Sequence, residues 1–205
     1  MNALALVMYL VFAGAAFGWR SWVQWRRTGD TGLRLAATPG TVQWWAKLAF
    51  VAAVLAGLAA PIAGLAGLDP ISLFDHEALH LAGAVIAAVG IIATLAAQAQ
   101  MGASWRVGVD PTERTGLVTT GIFGWVRNPI FTAMLLAAVG FALLVGNAVA
   151  LVALVALVLA IEVQVRAVEE PYLRGVHGAA FDRYLERTGR FVPGLGRRRR
   201  SGLAA

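Results

Sequence analysis

The sequence predicts an all-α integral membrane protein of about five transmembrane helices, with one long loop and a C-terminal amphipathic helix. Three observations carry this. Hydrophobic residues form 59% of the 205-residue chain and charged residues only 14%, with a mean hydropathy of +0.71. A soluble domain carries about 25% charged residues, so a bilayer is the solvent that fits this chain. Long apolar runs are separated by short polar punctuation, and the positive charge is confined to alternate connectors. Such a composition excludes a disordered chain and a coiled coil, and the absence of cysteine excludes a disulfide scaffold and a thiol nucleophile.

Five apolar segments follow in order. The first, Asn2 to Trp19, lacks a basic leader region and reads as a retained span. The second, Trp44 to Leu68, contains Pro61 as an expected kink. Ala78 to Ala97 is the third. The fourth and fifth, Ile130–Val145 and Ala148–Val165, meet at Gly146-Asn147, whose turn chemistry permits only a tight antiparallel hairpin. Spanning the hydrocarbon core takes about 17–25 helical residues, so both are predicted to be short.

Every lysine and arginine lies in the 19–47 segment, the 98–128 loop or the tail from 166 onward. None falls in the 69–77 loop or the Gly146-Asn147 turn. Alternation of this kind is the positive-inside pattern, which places the N-terminus outside and the basic connectors in the cytoplasm of a bacterial-type inner membrane. The net charge of +6 is thereby read as topology, and no nucleic-acid partner is implied.

The 98–128 loop is too long to be a simple connector in a compact membrane protein. Its Trp105, Leu117, Val118, Ile122, Phe123 and Trp125 argue against disorder. It closes on Arg127-Asn128-Pro129, where Asn128 is an expected N-cap, Pro129 an N1 residue and Arg127 a boundary snorkeller. At the end of the fifth span, Glu162, Arg166 and Glu170 recur every four residues and would share a helical face, with Glu169 beside them. Ionisable groups at this depth are functional candidates, or else a neutralising ladder at the bilayer boundary. Pro171 is expected to break or kink this helix. Tyr172 to Thr188 then reads as an interfacial amphipathic helix, followed by a basic tail at Arg197–Arg200 that attracts anionic lipid.

Two motifs in order carry a resemblance. Leu117-Val118-Thr119-Thr120-Gly121-Ile122-Phe123 and Arg127-Asn128-Pro129-Ile130-Phe131 resemble the Leu-Val-Thr-Ser-Gly-x-Tyr…Arg-His-Pro-x-Tyr signature of isoprenylcysteine carboxyl methyltransferases and related membrane phospholipid methyltransferases. After two spans, Glu169-Glu170…Leu173…His177-Gly178…Phe181…Tyr184…Arg190-Phe191-Val192-Pro193 resembles the ending of that family. The likeness covers about residues 98–195.

It implies division into three N-terminal helices over residues 1–97, a methyltransferase core over 98–195 and a basic tail over 196–205. S-adenosylmethionine would bind on the cytoplasmic side against Leu117, Val118, Gly121, Phe123, Arg127, Asn128, Pro129, Phe131, Glu169 and Glu170. Arg166, Glu170 and Asn128 would be the catalytic residues, with Arg166 orienting a carboxylate acceptor. The alignment leaves open which of Glu169 and Glu170 meets the cofactor. Asn128 stands where the family has histidine, which removes a cationic or acid–base role there. The implied acceptor is a lipophilic small molecule or prenylated carboxylate, in contact with membrane lipids.

Two rival readings stand beside this one. His76-Glu77-Ala78-Leu79-His80 satisfies H-E-x-x-H, the helix-borne zinc motif of metalloproteases, although no third ligand is apparent nearby. Its alternative is a polar helix start with Asp75 as cap and Glu77 in the first turn. The other rival is a non-enzymatic lipid-binding membrane protein.

Overall fold

A computed structural model describes residues 1–34, 36–110, 113–114 and 116–198. The predicted basic tail beyond Arg198 lies outside these residues. Among the described residues there are only helices, connecting loops and two isolated β-bridges. Helix α1 is Asn2–Thr28, α2 is Val42–Leu65, α3 is Glu77–Met101, α4 is Pro129–Val145, α5 is Ala148–His177 and α6 is Ala179–Arg187. Helices α1, α2, α3 (with its extension to Ser104) and α5 are long and apolar enough to cross a membrane, and α4 is apolar but shorter.

The all-helical membrane fold is as the sequence predicts, with one difference in length. Only α4 is short. It is the central helix, with Ala133, Met134, Ala137, Gly140, Phe141, Ala142, Leu144 and Val145 all buried, so its neighbours rather than lipid set its length. Helix α5 is not short, because Pro171 does not end it. The turn before it, Gln164–Glu169, is π-helical, so the ring meets a widened i→i+5 ladder instead of the close carbonyl contact of an α-helix. The helix stops at Gly178, whose φ of 50° suits a residue without Cβ.

The α3–α4 contact organises the bundle. Gly83, Ala87 and Gly90 face Ala133, Ala137 and Gly140 of the antiparallel α4, so the two backbones nearly touch. A Cβ on Gly83 would lie 2.5 Å from the Leu144 nitrogen and 2.7 Å from the Gly140 oxygen. Small residues at four- and three-residue spacing permit this approach, which in lipid supplies the dispersion that holds helices together. The hairpin between α4 and α5 forms as predicted. Gly146 takes a left-handed φ of 68°, and the Asn147 carbonyl oxygen caps Ala150 while its amide donates 2.9 Å to the Ala60 oxygen.

Two further expectations change. The cap of α3 is His76 rather than Asp75, with Glu77 in the first turn as predicted. Residues Tyr172 to Thr188 do not form one helix on a leaflet. They divide at Gly178, and the apolar stripe of α6 (Phe181, Tyr184, Leu185) packs on Leu117 and Leu173 of the protein. A packed protein surface was within reach, so the stripe is buried there rather than in the interface.

Candidate active site

At the basic end of the bundle, a cavity of about 410 Å³ runs from the loops into the apolar interior. Its polar chamber is walled by residues 104–110, 113 and 116–118, by Arg127 and Asn128, and by the last turns of α5. Its apolar arm is walled by Phe17 of α1, by Ile130, Phe131 and Met134 of α4, and by a stripe on α2. That stripe, Lys47, Phe50, Val51, Val54 and Leu55, follows helical spacing with the cation at its loop end. Val51 and Leu55 are exposed as well as lining the cavity, so the arm opens toward lipid.

Of the sequence-predicted residues, Leu117, Val118, Phe123, Arg127, Asn128, Pro129, Phe131, Glu169 and Glu170 line this cavity. Gly121 does not; it abuts Gln100, whose side-chain oxygen accepts 3.0 Å from the Ile122 amide and holds the turn. Arg166 is also outside. Its side chain is 58% exposed and pairs with Glu162. The reason is the π-helical turn: i,i+4 spacing assumes an α-helix throughout, and the wider turn rotates Glu170 away from Arg166. The register shows directly in the i,i+5 bond from Gln164 Nε2 to Glu169 Oε1, 3.1 Å.

Glu169 and Glu170 therefore differ. Glu170 is held on both oxygens by Arg190 (2.7 and 3.0 Å) and on one by Arg127 (3.1 Å). Glu169 lines the cavity, and its ion pairs among the described residues are none; its contact is the Gln164 amide.

Arg127 is no snorkeller. Its side chain is 4% exposed, and it donates to Glu170, to the Thr188 carbonyl and, at 3.1 Å, to the Gly196 carbonyl. Burial lowers its pKa, while Glu170 opposes that shift. The Glu170 hydrogen bond raises Arg190. Backbone bonds from Arg127 N to Gly189 O (2.8 Å) and Asn128 N to Arg190 O (3.1 Å) seat residues 188–196 as a strap beneath the chamber. Tyr184 adds a bond to the Phe123 carbonyl (2.5 Å), and burial pushes its hydroxyl up to about 12.

This strap explains the asparagine. Asn128 caps α4 without a side-chain bond; its Nδ2 instead donates 3.1 Å to the Arg190 carbonyl. That carbonyl can only accept, so the position requires a neutral donor, which asparagine supplies as well as an imidazole N–H. Asn128→Asp is expected to lower stability by about 1–3 kcal/mol, because an acceptor would face an acceptor. Asn128→His should lose less. Thermal unfolding of the detergent-solubilised variants measures both, and equal losses would refute this role.

Across the chamber, the 29–41 loop is joined to the 104–118 segment by a parallel bridge between Leu33 and Val107. Glu113 collects Arg34 (2.8 Å) and Arg106, and its carbonyl accepts from Tyr172 (2.5 Å). Arg34 also pairs with Asp30; these hydrogen bonds hold Arg34 above and Asp30 below their ordinary pKa values. Sequence reasoning missed Arg34, Lys47, Arg106, Glu113, Gln98 and Gln164. The glutamines could have been found, since polar side chains in apolar runs are functional candidates.

His76 and His80 lie at the opposite end. His80 Nδ1 is 3.0 Å from the Leu144 oxygen, so it carries the hydrogen and ties α3 to the end of α4; His76 is exposed. Among the described residues no group of three His, Cys, Asp or Glu side chains is placed to hold a metal ion.

The family model described as phospholipid methyltransferase matches residues 78–180. That span contains α3, α4, α5 and the chamber loop. No curated protein matches the chain.

Proposed function

The chain belongs to the phospholipid methyltransferase family, and from that premise we propose that it transfers the methyl group of S-adenosylmethionine to a lipophilic carboxylate, of which an isoprenylcysteine is the type. The membrane methyltransferase class follows from the family. The cofactor, the acceptor and the residue roles are our reading, and one observation carries them. A single cavity joins a polar chamber, containing a carboxylate (Glu169) that pairs with no cation among the described residues, to an apolar arm open toward lipid.

The chamber suits the cofactor. Chamber and arm together have a volume within the range of about 300–1,000 Å³ common for small-molecule sites. Glu169 offers carboxyl oxygens to a sulfonium or ammonium group, Gln164 fixes them, and Leu117, Val118 and Phe123 supply apolar wall. When bound, the cofactor supplies an electrophilic methyl group. Glu170, with both oxygens engaged by arginines, is a positioning residue that seats the strap.

The stripe on α2 would receive the hydrocarbon part of the acceptor and leave its carboxylate near Lys47. An acceptor oxygen forms the new C–O bond as the S–CH₃ bond breaks, and the electron pair leaves on sulfur. No proton moves, so the site needs alignment and exclusion of water rather than a base. Arg166, on the far side of the π-helical turn, has no part in this. By the positive-inside pattern the chamber faces the cytoplasm of a bacterial-type inner membrane, with the N-terminus outside.

Calorimetric titration of the detergent-purified protein with S-adenosylmethionine and S-adenosylhomocysteine tests the reading. Saturable binding is expected, weakened about ten- to a hundredfold by Glu169→Gln, the scale of one charge-assisted bond. Arg166→Ala should bind as the parent does. Undiminished affinity in Glu169→Gln, or no binding by the parent, would overturn the assignment.

A further inference from the structure

A second cavity, of about 50 Å³, lies further along the bundle from the basic end, among α1, α2, α4 and α5. It shares three lining residues with the large one: Phe17, Val54 and Met134. The two spaces therefore abut across those three side chains. Its lining is apolar throughout except for the Tyr9 hydroxyl, which already donates 2.6 Å to the Val54 carbonyl. Small residues, Ala53 and Gly57 on α2 and Ala138 on α4, leave the space that larger side chains would fill. Interiors are normally packed without such voids, and an apolar space without polar partners does not hold water.

We infer that this inner space is the end of the acceptor site, occupied by the distal part of the acceptor's hydrocarbon tail, with Phe17, Val54 and Met134 as a gate that measures chain length. The inference rests on the acceptor arm proposed above. The occupant follows from continuity: the inner space prolongs the α2 stripe, whose Val54 walls both cavities. A tail passing from the arm meets Met134 first as the flexible member of the gate, since an unbranched thioether side chain moves aside with little strain. The site would thus discriminate acceptors at the end remote from the chemistry.

The test measures binding separately from turnover. Equilibrium binding of N-acetyl-S-geranylcysteine, N-acetyl-S-farnesylcysteine and N-acetyl-S-geranylgeranylcysteine is read for the parent, Met134→Ala and Ala138→Leu, all in the presence of S-adenosylhomocysteine. Opening the gate by Met134→Ala should raise the geranylgeranyl-to-geranyl affinity ratio. Filling the inner space by Ala138→Leu should lower it, by about fourfold for each methylene denied its contacts. Phe17→Leu, a milder change at the same gate, gives the Met134→Ala result should that variant fold poorly. Ratios that stay constant while all three affinities move together would overturn the gate, as would ratios insensitive to every variant. Methyl transfer to the same compounds is scored in parallel. Selective binding without transfer refutes the proposed acceptor and leaves the gate standing, whereas transfer with constant ratios does the reverse.

Discussion

Gly140→Leu is expected to prevent accumulation of folded protein. Helices α3 and α4 meet backbone to backbone, and a Cβ at Gly140 would overlap the Ala87 backbone. A rotamer change cannot relieve that contact, because the obstacle is main chain rather than a flexible side chain. The cost should exceed about 3 kcal/mol, beyond the usual range for overpacking a core. It would also fall on the helix that carries Asn128 and Phe131 to the chamber. The measurement is the yield of monodisperse protein on size exclusion, with the denaturation midpoint where enough is recovered. Gly175→Leu is the matched control, since no atom lies within 4 Å of a Cβ there. Similar yields for the two variants would show that the α3–α4 approach is not what holds the bundle.

Arg127→Ala is expected to cost about 3–5 kcal/mol, the range for removing one partner of a buried ion pair. The loss has two parts. Glu170 keeps Arg190 but loses the buried cation, and the Thr188 and Gly196 carbonyls lose their donor. Arg127→Lys should recover little, because one ammonium cannot serve a carboxylate and two separated carbonyls as the planar guanidinium does. Limited proteolysis between 188 and 198 reads the strap directly, beside thermal unfolding. A strap as protected in Arg127→Ala as in the parent would mean that the backbone bonds to Gly189 and Arg190 suffice.

What the sequence made legible was whatever depends on hydropathy or local chemistry. The apolar runs and the Gly146-Asn147 hairpin both follow from residues close in the chain. Placement of Arg166 did not, because its four-residue spacing from Glu162 and Glu170 was converted to a shared face by assuming one α-helix. Nothing in Gln164–Glu169 announces a π-helical turn. The 29–41 loop was illegible for another reason: Arg34 and Glu113 are 79 residues apart, and no local pattern ties them. The contact of Asn128 was illegible in the same way, since the Arg190 carbonyl that accepts its Nδ2–H lies 62 residues along the chain.

The π-helical turns at Gly14–Trp19 and Gln164–Glu169 have a consequence for how the chain can vary. Each acts as a phase shift between the half of its helix that meets acyl chains and the half that meets the loops. A π-helical turn holds one residue more than the α-helical turn it replaces, so deleting a single residue within 164–169 is expected to convert it to α-helix and keep the two halves of α5 in register. Glu169 would then lose its i,i+5 bond from Gln164 while every membrane contact before the deletion stayed as it is. In such a helix, fit to the lipid and fit to the ligand are inherited separately.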